Sequence, residues 1–354
     1  MNTSDSISRA ASPFMRPLDI GIAFELRSAF ALPVGAPVDA LEEYDTMSTI
    51  DGLADALRSL GHRPRPLGGG RALIDTLLAK PPDLVFNNAE GWGSRSREAQ
   101  VPALCEMLGV PCSHSDPLTM GLTLDKSLAK RIVCSAGVST APFVVVDSLE
   151  QTAAIDLGWP LFVKPVAEGS SMGVRVTSRV ADRHALLAEV QRCLSAYRQP
   201  VLVERYLPGI EVTVGIHGSG DRARVLGSME IAPASGAAAD FVYGLESKHE
   251  YLNLVRYHAP PHHPTPSQMA DAEATALAAY RALGCRDVAR VDLRFDADNR
   301  ANFIEVNPLP GLNPVTGDLV VMTRLLGRTY EDLIGTIVEE AVGRYPALSE
   351  VSFT

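Results

Sequence analysis

The residues best suited to chemistry lie in one stretch, residues 289–307, which reads ARVDLRFDADNRANFIEVN. Apolar and polar residues alternate on both sides of a turn-like DADN, which is typical of a β-hairpin with one covered face. Side chains two positions apart lie on the same face of a strand, so Arg290 shares a face with Asp292. For the same reason Glu305 shares a face with Asn307. A turn centred on the last two residues of DADN places Asp292 opposite Glu305, and therefore the arginine opposite the asparagine.

That register is an expectation, because an odd loop length or a β-bulge would shift it. The alternate positions are apolar and predict a covered back face: Val291, Leu293, Phe303, Ile304 and Val306.

Two carboxylates that face each other across a hairpin repel, unless a positive charge lies between them. The oxygens of Asp292, Glu305 and Asn307 suit a hard cation such as Mg²⁺, which keeps several waters and bridges substrate phosphates. A simpler interpretation is a solvated acidic face that Arg290 neutralises. The hairpin alone leaves both interpretations open.

Residues 161–176, LFVKPVAEGSSMGVRV, predict a strand, a loop of small residues and a second strand. Lys164 ends the apolar first strand, where an ammonium without a partner would be costly. The loop offers backbone N–H groups and the hydroxyls of Ser170 and Ser171, and such a loop can fold over phosphates. A hairpin that is only mobile is the alternative.

Residues 201–212, VLVERYLPGIEV, predict an apolar strand that ends at a Pro-Gly turn. A strand that leaves one domain in this way lines a cleft, where its backbone can pair with adenine and Glu211 can bind ribose. The alternative is an ordinary connection between domains with exposed acids. Each motif alone is weak, but their order along the chain is specific, starting with Lys126 on a helix and ending with the hairpin.

Composition narrows the class of protein. The 354 residues suggest two or three domains, and the net charge of −10 without a Lys/Arg cluster argues against nucleic-acid or membrane partners. Five scattered cysteines without a C-x-x-C pair fit a reduced, cytoplasmic compartment. No apolar run approaches the roughly 20 residues that span a bilayer. We therefore expect a cytoplasmic protein that acts on small molecules.

The predicted elements divide the chain into a disordered leader and three domains. After the polar leader 1–17, strand–helix alternation over 18–122 predicts a Rossmann-like α/β domain with a mainly parallel sheet. Residues 123–207 predict a small α+β domain, and 208–354 predict a second α+β domain with a long irregular loop over 233–267. Predicted strands include 110–115 and 173–178, and predicted helices include 124–137. The glycines at 68–70 are interpreted as a plain turn, because no P-loop lysine follows.

Taken together, the segments LTLDKSLAKRIVCSAGVSTAPFVVV, WPLFVKPVAEGSSMGV, VLVERYLPGIEVTV, ARVDLRFD and FIEVNPLPGLNP resemble the ATP-grasp superfamily, and within it the D-alanine–D-alanine ligase family. The resemblance covers about residues 18–343. It implies a three-domain enzyme with ATP and two Mg²⁺ ions, which Mn²⁺ can replace, between the central and C-terminal domains. The γ-phosphate passes to a carboxylate, and an amine then attacks the acylphosphate to give an amide, ADP and phosphate.

The resemblance also assigns roles to residues at matching positions. It implies these nucleotide-binding residues: Lys126, Lys164, Ser170, Glu204, Tyr206, Leu207 and Glu211. The implied Mg²⁺ ligands are Asp292, Glu305 and Asn307. The implied catalytic groups are Arg290, Ser171, Lys248 and the backbone of Gly311, with either serine of the loop positioning substrate.

On the substrate side the sequence departs from the family. The family's substrate-binding Glu after the first strand is missing, and its nearest counterparts are Glu42 and Glu43. His249 stands where typical D-alanine ligases carry a Tyr and depsipeptide ligases of vancomycin resistance carry a His, whose charge changes near neutral pH. A solvent-facing loop histidine is the alternative. Thr316 falls near a family Ser that binds the product-side carboxylate.

These observations predict an ATP-dependent ligase that joins an amino-acid carboxylate to an amine. The substrate-side departures favour a dipeptide or amide ligase of specialised metabolism over D-alanyl-D-alanine synthesis for the cell wall. The retained lysines and Mg²⁺ ligands argue against an ATP-binding sensor without turnover. A carrier-bound or intramolecular acceptor stays open, and the resemblance implies a homodimer. The histidines of HAPPHHPTP (258–266) are interpreted as loop residues, not as a metal site.

Overall fold

The computed structural model of the protein describes residues 16–32 and 34–349. Most of the predicted leader 1–17 lies outside these residues. The described chain forms three β-sheets with helices packed against them, and the first sheet is parallel while the other two are antiparallel. The predicted boundaries at residues 122 and 207 stay predictions. No helix of the described part is both long and apolar enough to cross a membrane.

The first sheet has the strand order β2-β1-β3. Its strands and the helices that follow are β1 (Asp19–Phe24), α1 (Met47–Ser59), β2 (Arg63–Gly68), α2 (Gly70–Ala79), β3 (Leu84–Asn88), α3 (Gln100–Leu108), α4 (Pro117–Leu124) and α5 (Lys126–Ser135). The central strand β1 is buried along almost its whole length, as expected for a strand between two neighbours and covered by helices. The edge strand β2 contains two prolines, which is why the sequence pattern did not predict it.

The second sheet has the order β4-β7-β5-β6. Its elements are β4 (Phe143–Val146), β5 (Leu161–Pro165), β6 (Arg179–Val180), α6 (Arg183–Tyr197) and β7 (Val201–Arg205). Leu186, Val190 and Cys193 of α6 pack on Val163 of β5 and on Val203 of β7. This packing fixes β5, the strand that carries Lys164.

The third sheet has the order β10-β9-β8-β11-β12. Its strands are β8 (Glu211–His217), β9 (Arg224–Pro233), β10 (Val255–His258), β11 (Val288–Phe295) and β12 (Ala301–Asn307). The helices are α7 (Leu245–His249), α8 (Tyr251–Leu254), α9 (Pro266–Ala282), α10 (Asp318–Leu325), α11 (Tyr330–Val342) and α12 (Pro346–Ser349). Ala276 and Tyr280 of α9 pack against the apolar face of β8, β11 and β12, so the opposite face of the hairpin is left to line a cleft.

The predicted hairpin register is confirmed at the polar pairs. Arg290 pairs with Asn307, and Asp292 pairs with Glu305. The loop between the paired residues Phe295 and Ala301 has an odd number of residues, whereas the predicted register needs an even number. A β-bulge at Ile304 makes up the one-residue difference. The bulge turns Ile304 into the cleft, so its predicted place on the covered back face is wrong.

Several predicted element boundaries are also wrong. Residues 173–178 form a turn and a short 3₁₀ helix instead of a strand, and β6 begins only at Arg179. Residues 110–115 contribute a single β-bridge, from Cys112 to Val85. The predicted helix 124–137 begins at Lys126, because the carboxylate of Asp125 accepts hydrogen bonds from the first two free backbone N–H groups of α5.

Candidate active site

Two cavities, one of about 350 Å³ and one of about 100 Å³, meet over the β11–β12 hairpin. The side chains that line both are Lys126, Glu168, Tyr243, Lys248, Arg290 and Glu305. The structure therefore brings the predicted phosphate-binding and hairpin residues together at one shared wall.

The smaller cavity is lined by the predicted nucleotide residues Lys164, Glu204, Tyr206, Leu207 and Glu211. Phe162, Met172 and Ile304 give it an apolar surface. This combination of a flat apolar surface with acids at its edge suits a purine nucleoside.

The two loop serines face different cavities. Ser171 lines the smaller cavity and Ser170 lines the larger one. Both adopt left-handed backbone conformations, with φ of +47° at Ser170 and +60° at Ser171. Such backbone conformations are strained for residues other than glycine, and they occur often in functional loops.

Glu204 lies between two buried lysines. Its carboxylate is 2.8 Å from Nζ of Lys164 and 2.7 Å from Nζ of Lys130. Burial raises the pKa of Glu204, but the two ammonium groups outweigh burial and lower it to about 2. Lys130 was not predicted to contact Glu204, although it lies four residues after Lys126 on the same face of α5.

Arg294 lines the smaller cavity and contacts two of its predicted nucleotide residues. Its guanidinium lies 3.2 Å from Oε2 of Glu211 and donates a hydrogen bond of 2.7 Å to the hydroxyl of Tyr206. It also donates to the carbonyl oxygens of Ala238 and Phe241, at 2.8 and 2.9 Å. Burial raises the pKa of Glu211 to about 7, against the opposing effect of Arg294. Arg294 was not predicted as a site residue. Its position two residues after Asp292 on β11 places it on the same face as Arg290 and Asp292, and could have indicated it.

The hairpin carboxylates lie among cations. Arg290 donates three hydrogen bonds to Asp292, at 3.0, 3.2 and 2.9 Å, and Asn307 donates another at 3.2 Å. Nζ of Lys126 is 3.2 Å from Oε2 of Glu305. Burial raises the pKa of Glu305, but Lys126 and its neighbouring cations outweigh burial and lower it to about 2. Glu305 is thus ionised beside a second carboxylate and an amide oxygen, and this donor set fits a hard divalent cation.

Asp318, the first residue of α10, was not predicted as a site residue. It lies 3.1 Å from the guanidinium of Arg290 and accepts a hydrogen bond of 3.0 Å from the hydroxyl of Tyr243. Arg290 therefore connects the hairpin to the first residue of α10, which lines the larger cavity.

The larger cavity is lined by the predicted substrate-side residues Glu42, Glu43 and Thr316. The predicted catalytic residues Gly311 and Lys248 line it as well. Burial lowers the pKa of Lys248. The side chain of His249 lies outside the described part of the chain, so its predicted role stays a prediction.

Glu43 already has a cationic partner. Arg97 donates hydrogen bonds of 2.8 and 2.7 Å to its two oxygens, and the side chains are only 9% and 4% exposed. Arg97 also reaches Glu168, at 3.4 Å. Nothing in the pattern around Arg97 predicted this contact. Glu25, which follows β1 directly, accepts a hydrogen bond from the backbone of Gly91 and does not line the larger cavity.

Residues 132–339 match the family model described as D-ala D-ala ligase C-terminus. The chain belongs to the D-alanine–D-alanine ligase family. The D-alanine–D-alanine ligase of Parvibaculum lavamentivorans is 34% identical over 296 residues, which cover 82% of this chain and 90% of that protein. An uncharacterised protein of Sinorhizobium fredii, y4sG, is 33% identical over 308 residues, covering 83% and 88%.

The fold agrees with this family. The structure of the D-alanine–D-alanine ligase from Bacillus anthracis complexed with ATP superposes with a TM-score of 0.68 at 22% identity, and covers 94% of this chain and 99% of that one. The predicted ATP-grasp fold and the predicted resemblance are confirmed. This family member is an ATP-dependent ligase, as the sequence predicted.

The histidine cluster at 258–263 differs from its sequence interpretation in one respect. His258 and His262 stack at 4.2 Å, and His263 contacts Glu230 of β9, an acid that the local sequence did not reveal. Within the described ranges, no group of three or more His, Cys, Asp or Glu has the spacing to hold a metal ion.

For this ligase, we expect Arg294→Met to weaken binding of a non-hydrolysable ATP analogue by about tenfold or more. The reason is the loss of several hydrogen bonds to a buried acid and to two carbonyls, each worth about 1.5–3 kcal/mol when one partner is charged. Isothermal titration calorimetry measures the change, and Arg300→Lys on the exposed turn of the same hairpin is the control. Unchanged affinity in Arg294→Met would remove Arg294 from the nucleotide site.

Proposed function

We propose that this ligase joins the carboxylate of one amino acid to the amino group of a second through an acylphosphate, and that the pair is not two D-alanines. The observation that carries the proposal is the shared wall of the two cavities. A nucleotide in the smaller cavity places its terminal phosphate there, next to a carboxylate bound in the larger cavity.

The charges at the shared wall suit phosphoryl transfer. Lys126, Lys248 and Arg290 bring three cations to it, and Lys164 adds a fourth from the smaller cavity. Such fixed positive charges stabilise the transferring phosphoryl group without reorganisation. In the first step the substrate carboxylate attacks the γ-phosphorus and ADP leaves. In the second the amine attacks the acyl carbon, phosphate leaves, and the amine loses a proton.

Asp292, Glu305 and Asn307 are the residues that would hold Mg²⁺, and Mn²⁺ has the same ligand preferences. The bound ion neutralises phosphate oxygens. Arg290 forms a fixed fork of donors for an oxyanion, and the backbone of Gly311 lies on the same side, in the larger cavity.

The larger cavity supports a substrate pair other than two D-alanines. Glu43, the nearest counterpart of the family's amino-group ligand, is neutralised by Arg97 and is nearly inaccessible. Pro308 and Leu309 replace polar residues expected from the family and line the same cavity. Substrate recognition must therefore use other groups, which favours a dipeptide or amide ligase of specialised metabolism.

Synthesis of D-alanyl-D-alanine is the second candidate, and the 34% identity to the Parvibaculum lavamentivorans ligase supports it. The cytoplasmic location expected from the cysteines remains a prediction. The homodimer expected from the resemblance is also a prediction, and sedimentation velocity would measure the oligomeric state.

The test is phosphate release from Mg·ATP with D- and L-amino acids, singly and in pairs, with mass spectrometry of the products. We expect release with at least one pair that does not give D-alanyl-D-alanine. Saturable release with D-alanine alone would establish the second candidate instead. Retained ATP binding without release from any pair would contradict the proposal and point to a carrier-bound or intramolecular acceptor.

A further inference from the structure

Two carboxylates of the larger cavity have no partner. Glu90 and Glu98 both line it, and Glu98 is only 8% exposed. Over residues 16–32 and 34–349, neither side chain makes a hydrogen bond or a direct ion pair, although the charge of Arg97 acts on Glu98 from a greater distance. An ionised group in such surroundings is costly unless a partner compensates it.

Each of the other acids of this cavity has a polar or charged partner within the chain. Glu42 faces Arg27, Glu43 and Glu168 share Arg97, Glu305 faces Lys126, and Asp318 faces Arg290. Asp45 accepts a hydrogen bond of 2.7 Å from Asn88. Glu90 and Glu98 are thus the acids of this cavity for which the described residues provide neither a hydrogen-bond donor nor an ion-pair partner.

The pKa values of the two carboxylates are affected by burial and by neighbouring charges. Burial raises the pKa of Glu98 to about 7 against the charge of Arg97, and Glu98 also lies within the influence of Lys126 and Glu305. Burial and the charge of Glu98 raise the pKa of Glu90. The two carboxylates are therefore close enough for the charge of one to affect the other.

We propose that Glu90 and Glu98 bind the ammonium groups of a basic amino acid, which is one of the two substrates of the ligase. This inference rests on the proposed function. An ordinary amino acid is a zwitterion without net charge and would leave one carboxylate uncompensated, whereas an amino acid with a second ammonium group neutralises both. A metal ion is a poorer occupant, because Glu90 and Glu98 belong to no group of three or more His, Cys, Asp or Glu side chains that could hold a metal ion among the described residues.

Matched amino acids test the subsite by binding. The basic members are 2,4-diaminobutyrate, ornithine and lysine, and their neutral counterparts are 2-aminobutyrate, norvaline and norleucine, each as both enantiomers. Calorimetry measures each affinity in the presence of Mg²⁺ and a non-hydrolysable ATP analogue. We expect at least one basic member to bind about tenfold more tightly than its neutral counterpart, since charged hydrogen bonds are gained.

The variants are Glu98→Gln and Glu90→Gln, with Glu106→Gln as the control, because Glu106 is exposed on the nearby helix α3. We expect the ratio of basic to neutral affinity to fall by about tenfold in Glu98→Gln and to stay unchanged in the control. Without substrate at pH 8, Glu98→Gln should raise the melting temperature, because it removes a buried charge without a partner. This second measurement would detect a variant that misfolds.

The outcomes separate this inference from the proposed function. Equal affinity for basic and neutral members throughout, or a ratio unchanged in both glutamine variants, would overturn the subsite. Phosphate release from neutral pairs under that result would leave the proposed function standing. A Glu98-dependent preference without phosphate release from any pair would support the subsite and contradict the proposed function.

Discussion

Glu305→Gln is expected to lower ligase turnover by about a hundredfold or more while the protein stays folded. Glu305 faces Asp292 across the hairpin and is held ionised, with a pKa of about 2, by surrounding cations that outweigh burial. Glutamine keeps the size of the side chain and removes its charge. A divalent cation held by Asp292, Glu305 and Asn307, as proposed, would then lose one charged ligand.

Phosphate release measures this loss under saturating Mg·ATP and the substrate pair that the amino-acid panel identifies. Circular dichroism verifies folding, and Glu339→Gln on the exposed side of α11 is the matched control. Raising the Mg²⁺ concentration should restore part of the activity if the lost function is metal binding. Turnover near that of the wild type would remove Glu305 from the metal site.

The sequence predicted the pairing of the hairpin well because its residues belong to regular elements. The hairpin pairs of Arg290 and Asp292 follow from the two-residue repeat of a strand, and the structure confirms them. The prediction tolerated two local errors, since the odd loop and the bulge at Ile304 compensate each other. Periodicity could not show this, because a bulge depends on hydrogen bonds that the pattern does not encode.

Partners that come from distant parts of the chain were not predictable. Arg97 reaches Glu43 across 54 residues, and Arg290 reaches Asp318 across 28. Neither contact follows a local repeat, so only the packing of separate elements brings the charges together. These unpredicted pairs lie mainly in the larger cavity, where Arg97 neutralises the acid nearest to the family's amino-group ligand. Regular elements therefore allow a site residue to be predicted from the sequence, whereas the charge pairs of the larger cavity depend on how separate elements pack.

Glu204→Gln is expected to destabilise the folded protein by about 3 kcal/mol near neutral pH. The carboxylate is the shared partner of Lys130 and Lys164, at 2.7 and 2.8 Å, and Lys130 is fully buried. Removing the negative charge leaves two buried ammonium groups close together, and burial already lowers the pKa of Lys130. Urea unfolding compares the variant with the wild type and with Glu150→Gln, which changes an exposed acid near β4.

The stability difference should depend on pH in a defined direction. The pKa of Glu204 falls from its ordinary 4.5 to about 2 in the folded protein, so its charge stabilises the folded state fully above pH 4.5. That contribution is lost as the pH falls from 4.5 towards 2, where the folded protein binds the proton as well. The gap between wild type and Glu204→Gln should therefore be constant between pH 5 and 7 and shrink below 4.5. A gap that grows on acidification would mean that the two lysines do not hold this carboxylate ionised.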